Sequence, residues 1–169
     1  KIKKIKETDP LKPETIYGIN KLAVEKLIQN YHKHFKLNWL VFRLFATYGP
    51  GHKANDYQGI VNVIISQLKN GNKIMIKGSL KRTRSIIYVK DAVKLMLNIL
   101  LKNKKNKIIN IGSEKYYSIA FLINIIGKIF NKKIKIKKMP GTPGVPLHNN
   151  ADITYMKTFT NLRSSYDLN

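Results

Sequence analysis

Cysteine is absent from the chain, which excludes disulfides and thiolate chemistry and fits a reducing, cytoplasmic setting. Acidic residues are scarce: nine Asp and Glu face 32 Lys and Arg, for a formal charge of +23. No cluster of His, Asp and Glu has metal-site spacing, so no metal is expected. Long apolar runs are missing as well. The longest stretch, Ile119 to Phe130, is broken by Asn124, Gly127 and Lys128 and is too short to span a bilayer, and nothing near the start reads as a secretory signal. No membrane partner is expected. Also missing is any G-x-x-G-x-x-G turn of the kind that cradles a dinucleotide pyrophosphate at a helix N-terminus.

What is present is a chain of 169 residues, long enough for a real hydrophobic core, opening on lysine. So large a basic excess favours anionic ligands in general. The lysines are scattered along the whole sequence among Ile and Asn, without aromatic interleaving or a reading motif, so nucleic acid is not the expected partner.

The most informative stretch is Glu14 to Glu25, because Tyr17 and Lys21 stand four positions apart. Helix formers around them predict a helix from about Thr15 to Phe35, with Ile16, Ala23, Leu27 and Tyr31 as its packing stripe. Residues i and i+4 of a helix share a face about 6 Å apart along the axis. A free phenol, with a reference pKa near ~10, is no base at neutral pH. An ammonium about 6 Å away, at an effective dielectric of ~20, favours the phenolate by roughly 3 kcal/mol. Such a pair can start proton abstraction from a hydroxyl.

Before this helix, residues 1–13 read as a polar, proline-bearing loop. After it, Leu37 to Phe45 reads as a buried parallel strand interrupted by Arg43, whose charge calls for an ion pair or a backbone clamp. His32 and His34 suit the helix C-terminus structurally. Residues 60–70 read as a helix closed by Gly71, 73–77 as a strand, and 78–84 as a basic segment in which Arg84, with a planar fork, suits phosphate. Lys81 and Arg82 add general electrostatic help. Asp91 is expected to cap a helix at 92–102 and Ser118 one at 119–130. Ile108 to Ile111 reads as a short buried strand, 135–137 as an edge strand, and 140–146 as a Pro/Gly loop.

Four ordered motifs carry a family resemblance. Pro13-x-x-x-Tyr17-Gly18-x-x-Lys21-Leu22-Ala23-x-Glu25, Arg43-Leu44-Phe45-Ala46-Thr47-Tyr48-Gly49-Pro50-Gly51, Arg84-Ser85-Ile86-Ile87-Tyr88-Val89-Lys90-Asp91 and Asn110-Ile111-Gly112-Ser113 resemble, in order, signature segments of the sugar-nucleotide epimerase/dehydratases, extended short-chain dehydrogenase/reductases. Ala151-Asp152-Ile153 resembles the run leading into the family's last helix. The resemblance implies an α/β fold: the C-terminal part of a doubly wound Rossmann-type sheet (1–51) followed by a substrate-binding subdomain with returning Rossmann elements (52–169). It implies NAD as cofactor, with Tyr17 and Lys21 catalytic and touching the cofactor, Phe45 beside the nicotinamide, and Arg84 on the substrate diphosphate. Ala46 stands where the family usually has a sugar-nucleotide-binding Asn, and Met139 where UDP-sugar enzymes often have Arg, leaving Lys137, Lys138 or His148 to assist.

The implied function is epimerisation of a nucleotide sugar, a UDP-hexose at C4, in a homodimer joined through the Tyr/Lys helix. This chain corresponds to the part beyond the cofactor-phosphate half and is expected to be inactive alone. A 4,6-dehydratase or keto-sugar reductase shares the pair, and NADP in place of NAD stays open. From another class, a noncatalytic lysine-rich anion- or nucleic-acid-binding module is the alternative.

Overall fold

A computed structural model describes residues 2–52, 59–102 and 105–166. Helix α1 (Ile16–Phe35) starts where Thr15 Oγ1 accepts from the Gly18 amide at 3.1 Å and ends at Lys36, which takes a left-handed turn. Strand β1 (Leu40–Leu44) follows, then Phe45, then β2 (Ala46–Tyr48). Next come α2 (Ile60–Lys69), β3 (Lys73–Lys77), β4 (Thr83–Tyr88), α3 (Val89–Leu101) and β5 (Lys107–Ile111). The chain continues through β6 (Tyr116–Ser118), α4 (Ile119–Ile129), β7 (Lys135–Met139), β8 (His148–Asn149) and the single turn α5 (Thr154–Lys157).

Most of the strand pairing is parallel, as the α/β class requires: β1 with β5, β2 with β4, β3 with β7, and β4 with β8; β6 runs antiparallel to β4. Strand β4 is the common wall of two cores because a strand points successive side chains to opposite faces. Ile86 enters a cluster with Ile64, Leu68, Ile74, Ile76 and Leu122. Ile87 enters the other, with Leu95, Ile99, Ile109, Ile111 and Met156. The apolar side of α2, the alternating residues of β3 and the Ser118-capped α4 fill the first core. Helices α3 and α5 close the second over β5.

Several sequence expectations need correction. The stripe of α1 that turns toward the body is Gly18, Leu22, Glu25, Ile28, Gln29 and His32, all half-buried, whereas Ile16 is 80 % and Leu27 58 % exposed and no residue of the helix is fully buried. The apolar positions Ile16, Ala23, Leu27 and Tyr31 lie on the other side, and the inward face joins Leu22 and Ile28 to the charged pair that Glu25 makes with Arg43 of β1. Strand β1 is parallel but only half-buried, and Leu44 is exposed. Residues 1–13 are more than a loop: Ile5 bridges Ala151 in parallel, its amide donating to the Asn150 carbonyl at 2.7 Å and its carbonyl accepting from Asp152 at 2.9 Å. Asp91 is not an N-cap. It lies in the first turn of α3, buried, and its Oδ2 accepts from Ser164 Oγ at 2.9 Å and from the amides of Ser165 and Tyr166 at 2.8 and 3.1 Å, fastening the C-terminal segment.

Candidate active site

The geometry begins at α1. Its first two turns place Lys21 Nζ 5.4 Å from the centre of the Tyr17 ring, and the Tyr17 side is 60 % exposed. The hydroxyl and the ammonium therefore share one open face. Those two groups are the donor set that a ribose diol accepts, so they fit the sugar of a nicotinamide cofactor.

Helix α1 is aimed by Arg43. From β1 its Nε and Nη2 donate to the two Glu25 carboxylate oxygens at 2.8 and 2.7 Å, and its Nη1 donates to the Glu7 carbonyl at 3.1 Å. The pair is mostly shielded, with side-chain exposures of 18 % and 14 %. The bidentate bond to Glu25 raises the Arg43 pKa above its ordinary value despite burial. This is the structural clamp expected of Arg43. Its partner, Glu25, stands two turns beyond Tyr17 on the half-buried face that also carries Leu22.

Phe45 and Ala46 sit where the chain passes from β1 to β2. The Phe45 amide donates to the Ile111 carbonyl at 2.9 Å, and Ala46 pairs with Ile86. Gly112 makes this junction possible: a Cβ there would lie 2.9 Å from the Ala151 Cβ and 3.4 Å from that of Phe45. Asn110 ties the same region to the N-terminal segment, donating from Nδ2 to the carbonyls of Ile5 and Asp152 at 3.0 and 3.2 Å, while its amide donates to Glu7 Oε1 at 2.8 Å. Neither Glu7 nor Ile5 was singled out from sequence.

Arg84 lies on β4, two residues from the partner of Ala46. Its Nη1 donates to the Thr83 and Leu147 carbonyls at 2.7 and 3.2 Å, and its Nη2 to that of Pro146 at 3.0 Å. A guanidinium has five N–H donors, so two are without a partner among the described residues. No carboxylate pairs with Arg84 among the described residues. Burial pushes its pKa down to about 10, and the charge of Arg82 acts in the same direction. Arg84 is thus a cation whose environment favours an added anion, the opposite of Arg43.

The loop that Arg84 grips leads back to α1. Gly144, at φ +74°, packs where a Cβ would come within 2.9 Å of the Glu14 side chain and 3.1 Å of Thr15. The residues just before Tyr17 and the Arg84 side chain therefore contact the same short loop, at Gly144 and at Pro146. Of the other basic groups considered, His148 is engaged by Thr83 at 2.8 Å, and Lys137 and Lys138 are exposed on β7, on the far strand of the β3–β7 pair. Among the described residues no group of three or more His, Cys, Asp or Glu could hold a metal ion, and no helix is long and apolar enough to cross a membrane.

Parallel strands with a helix-borne Tyr/Lys pair and a phosphate-suited arginine define a Rossmann-type α/β scaffold. A sequence model of the NAD dependent epimerase/dehydratase family matches residues 1–112, and the chain belongs to that family. It is 30 % identical over 146 residues to dTDP-4-dehydro-6-deoxyglucose reductase of Escherichia coli, covering 86 % of this chain and 45 % of that one. It is 29 % identical to a putative UDP-glucose 4-epimerase of Methanocaldococcus jannaschii, covering 72 % and 39 %. Among solved structures, UDP-glucuronic acid 4-epimerase of Bacillus cereus, in complex with UDP-glucuronic acid and NAD, superposes with a TM-score of 0.89 at 27 % identity, over 99 % of this chain and 53 % of that one. The chain spans about half the length of the relatives it matches.

Proposed function

We propose that this chain supplies the proton-transferring and substrate-anchoring part of an NAD-dependent nucleotide-sugar epimerase acting at C4 of a UDP-hexose. The observation that carries the reading is the adjacency of Tyr17 and Lys21 on one open helical face. Bound NAD supplies the hydride acceptor and donor. Tyr17 takes the proton of the sugar hydroxyl as the carbon is oxidised, and returns it after reduction on the other face. Lys21 holds the cofactor ribose and favours the phenolate. Phe45 lies against the nicotinamide. Arg84 keeps the diphosphate fixed while the keto-sugar turns, and Ala46, lacking the amide of an Asn, leaves room beside it. Residues 1–51 belong on this reading to the cofactor domain and 52–169 to the substrate subdomain.

The family also holds dehydratases, and a reductase is among the relatives above, so the test reads the product. In a polypeptide that joins this chain to a phosphate-binding half, product of unchanged mass and inverted configuration supports epimerisation; loss of water or net gain of two hydrogens refutes it. Tyr17→Phe is expected to lower kcat at least 100-fold with little change in KM, in keeping with general acid–base contributions of ~10²–10⁴. Full turnover by this variant overturns the assignment.

The exposed apolar residues of α1, among them Val24, Leu27, Tyr31 and Phe35, further suit a dimer built on this helix. Sedimentation of the joined polypeptide is expected to give twice the chain mass, reverting to a monomer in Leu27→Glu/Phe35→Glu; a monomeric parent refutes the dimer.

A further inference from the structure

The basic excess of this chain is unevenly placed. Residues 57–151 hold nineteen of the 32 Lys and Arg but two of the nine Asp and Glu, namely Asp91 and Glu114. Asp91 is buried under the C-terminal segment, and Glu114 is ion-paired with Lys157. No carboxylate at all occurs in 57–90 or 115–151, the two stretches that build α2, β3, β4, α4 and β7.

Folding brings four of these lysines onto one surface. Strand β3 alternates, with Ile74 and Ile76 buried and Lys73, Met75 and Lys77 exposed. In the parallel register Lys73 lies beside Lys135 and Met75 beside Lys137, and both β7 lysines are exposed. Lysines separated in sequence thus become neighbours on the outer face of a two-stranded ribbon. With strands about 4.8 Å apart and a rise of about 3.3 Å per residue, Lys73 and Lys77 are separated by roughly 13 Å, and Lys135 and Lys137 by roughly 7 Å.

We propose that this ribbon face is a docking surface for the phosphodiester backbone of duplex nucleic acid. Duplex DNA carries one charge per about 1.7 Å of axis, so some 13 Å of it presents about eight negative charges to the ribbon. The face carries no aromatic side chain, which excludes base stacking and leaves backbone contact without sequence preference. Its apolar members are Met75 and Met139, and it lacks the Trp, Phe or Leu that would enter a bilayer. A flat, lysine-studded β surface without anchors suits a polyanion rather than a lipid interface. The inference is independent of the proposed redox chemistry, because these lysines lie outside that site. It reverses the expectation drawn from the scatter of lysines in sequence, since the register of β3 and β7 gathers what the sequence separates.

The test is fluorescence anisotropy of a labelled 20-base-pair mixed-sequence DNA duplex titrated with the protein between about 50 and 200 mM KCl. Three phosphate contacts correspond to a slope of log K against log salt near −2.7, about 40-fold weaker binding across that range. Lys73→Gln/Lys135→Gln/Lys137→Gln is expected to remove most of this slope and to weaken binding at least tenfold at ~100 mM salt. The control Lys12→Gln/Lys26→Gln/Lys33→Gln lowers the net charge equally and is expected to change binding less than about threefold. Unaltered thermal melts of both triples separate docking from folding. Equal weakening by both triples, or a parent slope near zero, overturns the proposal. Face-dependent binding to phosphatidylserine vesicles without duplex binding overturns it in favour of a lipid surface.

Discussion

Replacing Glu25 by Ala tests the view that a charged clamp, rather than apolar packing, fixes helix α1. The substitution leaves the Arg43 guanidinium in place with its Nε and Nη2 donors unmatched and only the Glu7 carbonyl still engaged. Breaking a fully buried ion pair from one side costs ~3–5 kcal/mol. At side-chain exposures of 18 % and 14 % water reaches part of the pair, so we discount this to about 2–3 kcal/mol. Ala is the better helix former, so helix propensity adds no cost of its own. For a chain of this size each kcal/mol moves Tm by about 2–4 °C, giving an expected fall of about 4–12 °C. The double variant Glu25→Met/Arg43→Met removes both charges and keeps the volume; it is expected to melt within about 4 °C of the parent. Thermal unfolding followed by circular dichroism measures the parent, Glu25→Ala, the singles Glu25→Met and Arg43→Met, and the double variant. A fall below about 2 °C for Glu25→Ala, or a double variant as unstable as the two singles added together, would refute the clamp.

Two further outcomes follow from the charges around the site. If UDP binds with a Kd near ~1 mM, 10 mM UDP stabilises the chain by about 1.4 kcal/mol, a rise in Tm of roughly 3–6 °C, and Arg84→Gln is expected to abolish it while the parent gains nothing from uridine; an equal rise in the variant removes Arg84 from the diphosphate. Asp152 has a pKa held below the ordinary carboxyl value, first by its side-chain hydrogen bond with Thr154, then by the Thr154 amide and the charges of Lys6 and Lys4. A depressed folded-state pKa contributes stability above the unfolded value of 3.8 and loses it as pH falls through the folded one. The urea midpoint of the parent should therefore exceed that of Asp152→Asn at pH 6, with the gap closing below about pH 4; a gap that persists or widens in acid contradicts this.

Local patterns in the sequence were sufficient for most elements. Thr15 before the Tyr/Lys helix, Ser118 before α4 and Gly71 after α2 punctuate helices through groups within three residues, so no knowledge of tertiary structure is needed to read them. The alternation at 73–77 likewise identifies β3. The need of Arg43 for a partner was legible from its place in an apolar run, whereas the identity of that partner was not, because Glu25 meets it only when α1 crosses β1. Asp91 misled for the same reason: an acid at a helix start reads as a cap, yet it is held by residues more than seventy positions away. The packing side of α1 was misassigned because hydrophobicity marks surfaces that want cover without naming what covers them.

The candidate site itself divides along the same line. The Tyr17–Lys21 spacing is a property of one helix and survives any tertiary arrangement, so sequence conveys it fully. Arg84 is different in kind. Its orientation is set by Pro146 and Leu147, carbonyls more than sixty residues downstream, and that loop is in turn seated on Glu14 and Thr15 at the start of α1. A change at Gly144 would therefore reach the start of α1 and the carbonyls that hold Arg84 at once, without touching Tyr17 or Arg84. The loop 140–146, which reads in sequence as a mere Pro/Gly connection, is the element that links the start of α1 to the Arg84 side chain.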